Sequence, residues 1–309
     1  MLICVFNAGQ YLRPSVQSVV TQTYRNIEII IVNDGSTDGC METIRDLADP
    51  RIRVFHQENK GKPSALNFAL GQLRGDFYAV HDADDLSDPR RIECQLKWML
   101  ENRDLAAVFC GYDVIVKNRR QAPIAAAKDR DACRRDIAAF RMPSHDPTGM
   151  YRMSLVGAER YDPDLLLGQG FDYILRLGER FPMMVVGECL YSYRVHRASG
   201  TRRNIEQREQ LVRGVLRAAC SRRGVTFESQ FPNCVNPGIS RRNRDLDNYL
   251  AAHFIDSSID LRRAGKRWLA IRTGLECSRL HPLDLDYHKS LVYALAPMWL
   301  VRKIRRVPM

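Results

Sequence analysis

No stretch of this sequence stays apolar for long enough to cross a bilayer, which takes about 20 consecutive apolar residues. The best run, Leu291 to Val301, is short, contains Pro297 and leads into the basic segment Arg302 to Arg306. Paired cysteine spacing is missing too. The nine cysteines (Cys4, Cys40, Cys94, Cys110, Cys133, Cys189, Cys220, Cys234 and Cys277) are odd in number and include no Cys-x-x-Cys. That argues against a zinc site or a disulfide framework and for a reducing compartment. Met1 runs directly into apolar residues with no basic leader, so no secretory signal is expected. Internal repeats and low-complexity tracts are also absent. What remains is a chain of 309 residues, 45% of them hydrophobic, enough for a substantial core.

Charge is placed unevenly. Residues 1–196 carry 25 Lys+Arg against 26 Asp+Glu, whereas residues 197–309 carry 22 against 10. A basic last third of this kind meets phosphate, in nucleic acid, anionic lipid or a phosphorylated substrate. No nucleic-acid reading motif or stacking platform accompanies it, so a nucleic-acid partner is not expected.

Strand and helix signals alternate through the first part. Leu2 to Phe6 is a short apolar run, and Tyr11 to Thr21 has helical spacing. Ile27 to Val32 is strongly β-branched and reads as a buried parallel strand. It ends in the polar turn Asn33 to Gly39, followed by a helix to about Leu47 and a strand from Ile52 to Phe55. Ser64 to Leu73 reads as helix and Phe77 to Val80 as strand. A further helix, with Pro89 in its first turn, reaches about Glu101, and the strand Ala106 to Tyr112 follows. The pattern predicts a mostly parallel α/β sheet flanked by helices over residues 1–197. Residues 198–309 are expected to form a basic helical extension, with helices at Glu206 to Arg222, Asn248 to Ala264, Arg267 to Ser278 and Leu285 to Arg306.

Ligands of such sheets sit beyond the carboxyl ends of the strands, and two acidic clusters fall there. Asp82-Ala83-Asp84 places two carboxylates at a strand end as the chain turns. Hard oxygen ligands of this kind suit Mn²⁺ or Mg²⁺, which would offset charge growing on a leaving diphosphate. The plainer reading is a turn in which Asp85 caps the next helix. Asp34-Gly35-Ser36 reads either as a loop satisfying its own backbone or as a carboxylate receiving a base or ribose. His56, His145 and His253 read as structural.

The ordered set of motifs resembles the family 2 glycosyltransferases of the nucleotide-diphospho-sugar fold. Its pieces are Val5 to Leu12, Ser18 to Tyr24, Glu28 to Asp38, Asn59 to Asn67, Asp82 to Asp85, Thr148 to Arg152 and Tyr193 to His196. Together they cover roughly two-thirds of the chain, and their order is far more specific than any one piece. The resemblance implies that Phe6, Asn7 and Asp34 line the nucleotide pocket, with Asp34 on the base. It puts Lys62 and Asn67 near ribose and sugar, Asp82 near the ribose and Asp84 on the metal. Arg194 and His196 would close over the diphosphate, His196 also as a metal ligand. The implied reaction is metal-dependent, inverting transfer of a sugar from a nucleotide diphospho-sugar to a glycan or lipid-linked acceptor.

The sequence departs from the family in two places. Cys4 stands where the family usually has proline, and the family's first strand begins earlier than Met1. More consequential is the base. Inverting members carry a Glu-Asp pair six residues ahead of an arginine, the Asp being the base; with Arg176 as that arginine, the pair falls on Gln169-Gly170. Asp172 is the nearest carboxylate and stands as the candidate. Two helical positions turn it about 200° from Gly170, and its plainer role is to favour the helix N-terminus. The alternative function is therefore a subunit that binds nucleotide sugar without turnover. Leu291 to Arg306, with Tyr293, Trp299 and a basic cluster, suits either a segment lying on anionic lipid or an ordinary packed helix. The protein is expected in the cytoplasm, peripheral on the inner face of the membrane in the first case.

Overall fold

The computed structural model describes residues 1–116, 119–120, 127–195, 205–231, 258, 262, 267–280, 285–297 and 299–301. In chain order it opens with β1 (Leu2–Val5), α1 (Leu12–Val20), β2 (Ile29–Asp34), β3 (Ile52–Gln57), α2 (Lys62–Gly71) and β4 (Phe77–Asp82). Then come β5 (Leu86–Ser87), α3 (Arg91–Glu101), β6 (Ala107–Val116), β7 (Arg119–Arg120) and α4 (Arg130–Ala138). After them follow β8 (Gly149–Arg152), α5 (Met153–Val156), α6 (Gln169–Gly178), β9 (Met183–Val195) and α7 (Ile205–Arg222). Eight strands lie in the order β3-β2-β1-β4-β8-β6-β9-β5, and β7 pairs with the end of β6.

The β-branched run makes β2, every residue of which is buried. Being covered on both faces, it needs no polar alternation. β2, β1, β3 and β4 are parallel neighbours, with Val5 opposite Asn33 and Cys4 opposite Asp82. That register brings the carboxyl ends of β1, β2 and β4 to one edge. Beyond β4 the sheet turns antiparallel, through β8 to β6. It is an α/β sheet whose N-terminal half is parallel.

Helices cover it as their spacing requires. α1 buries Leu12, Ser15, Val16 and Val19, one face of a 3.6-residue period. α2 buries Ala65, Leu66, Ala69 and Leu70 against Leu2, Ile30 and Val32. Each fully buried Ile or Leu side chain contributes about 2 kcal/mol.

Boundaries differ from the sequence reading where side chains or proline intervene. The helix expected after Gly39 is a short 3-10 turn, Cys40–Ile44, because the Thr43 hydroxyl takes the Cys40 carbonyl that a continuing helix would use. α3 starts at Arg91, with Pro89 outside it, its carbonyl accepting from Thr23. The helix expected from Leu285 to Arg306 stops at Leu295. Pro297 lacks an N–H, and its carbonyl starts a new turn through Leu300 and Val301. Most of Asn248 to Ala264, and Arg302 to Arg306, lie outside the described residues.

The chain forms two compact units. The first comprises Met1–Tyr112, Ala125–Val195 and Glu206–Val235, and so takes in most of α7, beyond the boundary drawn at residue 197. Val215 and Ala219 of α7 belong to the main core, and Arg222 and Arg223 pair with Glu179. The second unit comprises Asp113–Ile124, His196–Ile205 and Asn236–Met309. Within it the helices Arg267–Leu280 and Leu285–Leu295 pack closely at Gly274, where a Cβ would come 2.6 Å from the Leu291 Cα. Among the described residues no helix is long and apolar enough to cross a membrane.

Candidate active site

The loops leaving β1 and β2 are tied together. Asn7, in a left-handed conformation at φ 51°, donates its N–H to Ser36 Oγ (3.1 Å) and accepts from the Thr37 N–H (2.8 Å). Gly9 N–H donates to Asp38 Oδ2 (2.8 Å). Phe6 is left 46% exposed at this edge, unusual for an aromatic at a strand end.

Asp34, 2% exposed, closes the next loop. Its Oδ1 accepts from Gln57 Nε2 (2.7 Å) and the Lys60 N–H (2.9 Å), and its Oδ2 from the Gly61 N–H (2.9 Å). The carboxylate thus holds the 57–61 loop against β2 whatever else it does. Asn67 has a similar inward task. Its amide donates to the Tyr161 carbonyl (2.8 Å) and accepts from the Tyr161 N–H (2.9 Å). Both ends of that amide serve the backbone of Tyr161.

Lys62 begins α2 and reaches across to Asp82 Oδ1 at 2.5 Å. Burial opposes its charge, but Asp82, with Asp146 further off, raises the ammonium above its ordinary range. Asp82, Asp84 and Asp85 each bring a carboxylate oxygen to within 4.8 Å of the others. Asp85 is fully buried, accepting from Tyr191 Oη (2.7 Å) and the Arg194 N–H (2.7 Å). Burial first, then Asp84 and Asp82, push its carboxyl well above the usual range. Arg194 donates Nε to the Asp84 carbonyl (2.8 Å) and lies over the Tyr11 ring. Asp82, Asp84, Lys62 and Arg194 therefore meet at one edge. His196 lies outside the described residues.

Asp172 lies on α6. It is 5% exposed, accepts from Arg176 Nε at 2.8 Å and lies 3.7 Å from Arg222 Nη1. Arg176 also binds Glu159, so the candidate base is held in an ion-pair network along α6 and α7. Removing Asp172 would take one of two carboxylate partners from each of these partly buried guanidinium groups, leaving Glu159 to Arg176 and Glu179 to Arg222. Its structural role is explicit.

Three residues that matter here escaped the motif reading. His81, buried, bridges Ser15 Oγ (2.9 Å) and Ser87 Oγ (3.0 Å), joining α1, β4 and β5 beneath the acidic cluster. Arg91, fully buried, donates to the carbonyls of Val80, Pro147 and Gly149 and to Ser87 and Gln95. Asp146 sits in the 3-10 turn before β8, beneath four buried tyrosines, and accepts from Tyr151 Oη (2.6 Å) and Tyr161 Oη (3.1 Å). None belongs to a short motif, and partners such as Ser15, Pro147 and Tyr161 are brought near only by folding.

The chain is 41% identical over 117 residues to an uncharacterized glycosyltransferase of Rickettsia typhi, covering 37% of this chain and 36% of that protein. It is 38% identical over 103 residues to glycosyltransferase GlyA of Streptococcus pneumoniae, covering 33% of this chain and 15% of that one. The matches thus span well under two-thirds of these relatives. Among solved structures, S. aureus TarS 1–349 in complex with UDP-GlcNAc superposes with a TM-score of 0.62 at 16% identity, covering 99% of this chain and 90% of that one. The mannosyltransferase PcManGT from Pyrobaculum calidifontis, in complex with GDP-Man and Mn²⁺, gives 0.56 at 17% identity, covering 99% and 87%. At such identities these two speak for the fold alone. The model of "Glycosyl transferase family 2" matches residues 1–158, the half of the chain that builds the parallel strands and their acidic edge, and the chain belongs to that family.

Proposed function

We propose that this chain transfers a sugar from a nucleotide diphospho-sugar to an acceptor hydroxyl, with a divalent cation and with inversion, in the synthesis of a glycan or polysaccharide. The observation that carries the reading is the gathering of Asp82, Asp84 and Asp85 with Lys62 and Arg194 at the carboxyl edge of the parallel strands. Three carboxylates within 4.8 Å offer hard oxygen donors of the kind Mn²⁺ or Mg²⁺ takes. Asp84 would hold the ion, with His196 as a second ligand; once bound, it offsets the negative charge of the diphosphate. Two fold neighbours support the donor class, one carrying UDP-GlcNAc and the other GDP-Man with Mn²⁺.

In this reading Phe6 and Asn7 line the nucleotide, and Asp34 shapes the wall on which the base rests. Lys62 and Asp82 stand toward ribose and sugar, and Asn67 acts through Tyr161. Arg194 suits the diphosphate, which a guanidinium grips with two parallel hydrogen bonds. The test is calorimetric titration of UDP and GDP with and without Mn²⁺. Asp84→Ala is expected to abolish the metal-dependent part of binding while the thermal transition stays in place. Metal-enhanced binding that survives the substitution removes Asp84 from the site.

A second reading, donor binding without turnover, is favoured by one observation. Gly170 offers no side chain and Asp172 is held by Arg176, so α6 supplies no available base. Release of nucleoside diphosphate by the purified chain separates the two. We also place the protein facing the cytoplasm and resting on an anionic membrane through its C-terminal segment, with a glycan or lipid-linked acceptor. The basic balance of that segment and its exposed tryptophans, Trp268 and Trp299, support this.

A further inference from the structure

The volume that a side chain at Gly170 would fill is taken by another carboxylate. A Cβ on Gly170 would lie 2.6 Å from the Asp146 Cβ and 3.0 Å from Asp146 Oδ2. Asp146 is 6% exposed, and its two oxygens are used differently. Oδ1 is fixed by the hydroxyls of Tyr151 and Tyr161. Oδ2 is buried and has no hydrogen-bond partner. A buried polar atom left so costs about 1–3 kcal/mol, and native structures hold few of them. The tyrosine clamp sets the orientation of the free oxygen, as a reacting group requires. Lys62 and Asp82, at the acidic edge, are close enough to bear on its charge.

We propose that Asp146 is the general base of this chain, its Oδ2 acting beside Gly170 in place of a carboxylate on α6. The assignment rests on the glycosyl-transfer reading above. In the step, the acceptor oxygen bonds to the anomeric carbon, and the bond from that carbon to the diphosphate oxygen breaks. The bonding pair leaves with the nucleoside diphosphate, and the acceptor's hydroxyl proton passes to Asp146 Oδ2. Water takes the acceptor's part in donor hydrolysis. Burial, only partly offset by the Tyr151 hydrogen bond and Lys62, raises the Asp146 carboxyl above its usual range, which makes it a better proton acceptor. Gly170 then has a reason to be glycine. Any side chain there would displace the base.

The test uses the full chain with a set of UDP- and GDP-sugars and Mn²⁺, following released nucleoside diphosphate and, by calorimetry, donor affinity. Asp146→Asn keeps an oxygen for both tyrosines but loses the basic site. It is expected to lower kcat about 100-fold or more, with KM and donor Kd within about two-fold of native. Asp146→Gly removes the Cβ as well as the carboxylate and empties the volume, and the double variant Asp146→Gly with Gly170→Asp returns a carboxylate to it from the helix. The double variant is expected to recover at least about ten-fold in kcat over Asp146→Gly, a rescue that a purely structural Asp146 would not produce. Native kcat in a folded Asp146→Asn overturns the assignment. Should Asp146→Asn not fold, a folded double variant that binds donor at native affinity without turnover overturns it as well. Failure of the native chain to bind any donor sinks the glycosyl-transfer reading itself, and the base assignment falls with it.

Discussion

Asp34 illustrates how one residue serves the fold and the site together. Its carboxylate receives three donors from the 57–61 loop, two of them backbone N–H groups. Asp34→Ala would take the acceptor from three partly buried donors, a loss on the order of 1 kcal/mol or more. Urea denaturation is expected to show the drop, with Asp34→Asn recovering part of it; an unchanged midpoint would contradict the clamp. Discrimination between UDP and GDP should weaken in parallel while metal dependence persists. Residues of this kind were legible because the Asp34 loop and the Asp82-Ala83-Asp84 turn are local strings at strand ends. Asp146 was not. Its meaning lies in Gly170 and the tyrosine hydroxyls, and glycine, an absence of side chain, announces nothing about what fills its place. The bonds between Asn67 and Tyr161 were out of reach for the same reason, the two being remote in sequence.

Among the elements, the entry to α2 carries the most consequence for the site. Gly61 precedes the helix at φ 85°, ψ 158°, a region essentially reserved for glycine, and Pro63 follows in the first turn. That conformation aims the Gly61 N–H at Asp34 and starts the helix so that Lys62 reaches Asp82. Gly61→Ala forces a Cβ to within 2.6 Å of Leu166 Cδ2 and is expected to cost about 2 kcal/mol in backbone strain. Thermal unfolding should register the loss, and donor titration a weaker Kd, because Lys62 moves with the helix start. A variant with native stability and affinity would show that the loop adapts freely. Most elements were readable from periodicity: β2 from its β-branched run, α1 and α3 from their buried stripes. Ends were less so. Thr43 diverting a carbonyl and Pro297 interrupting a helix are single-residue events that a periodic pattern averages over.

At the scale of the molecule, charge and exposed apolar surface coincide in the last third of the chain. Residues 197–309 hold 22 Lys+Arg against 10 Asp+Glu. The same region leaves Trp268 83%, Leu285 81%, Val292 61% and Trp299 66% exposed. Leu285 and Val292, seven residues apart on the helix Leu285–Leu295, lie nearly on one line along it. Scattered exposed leucines need no explanation, but exposed tryptophans among basic residues are the composition of a membrane-surface segment. Each Lys or Arg near an anionic surface contributes about 1 kcal/mol, and this attraction fades over about 8 Å at physiological salt. The full chain is therefore expected to sediment with vesicles containing anionic phospholipid, to be released as salt rises, and to ignore neutral vesicles. Trp268→Ser with Trp299→Ser should weaken sedimentation while nucleoside diphosphate binding stays at the native level, since neither residue belongs to the acidic edge. Salt-insensitive pelleting, or equal pelleting on neutral vesicles, would assign the basic balance to some other phosphate, and no pelleting at all would assign the exposed tryptophans to a partner other than lipid.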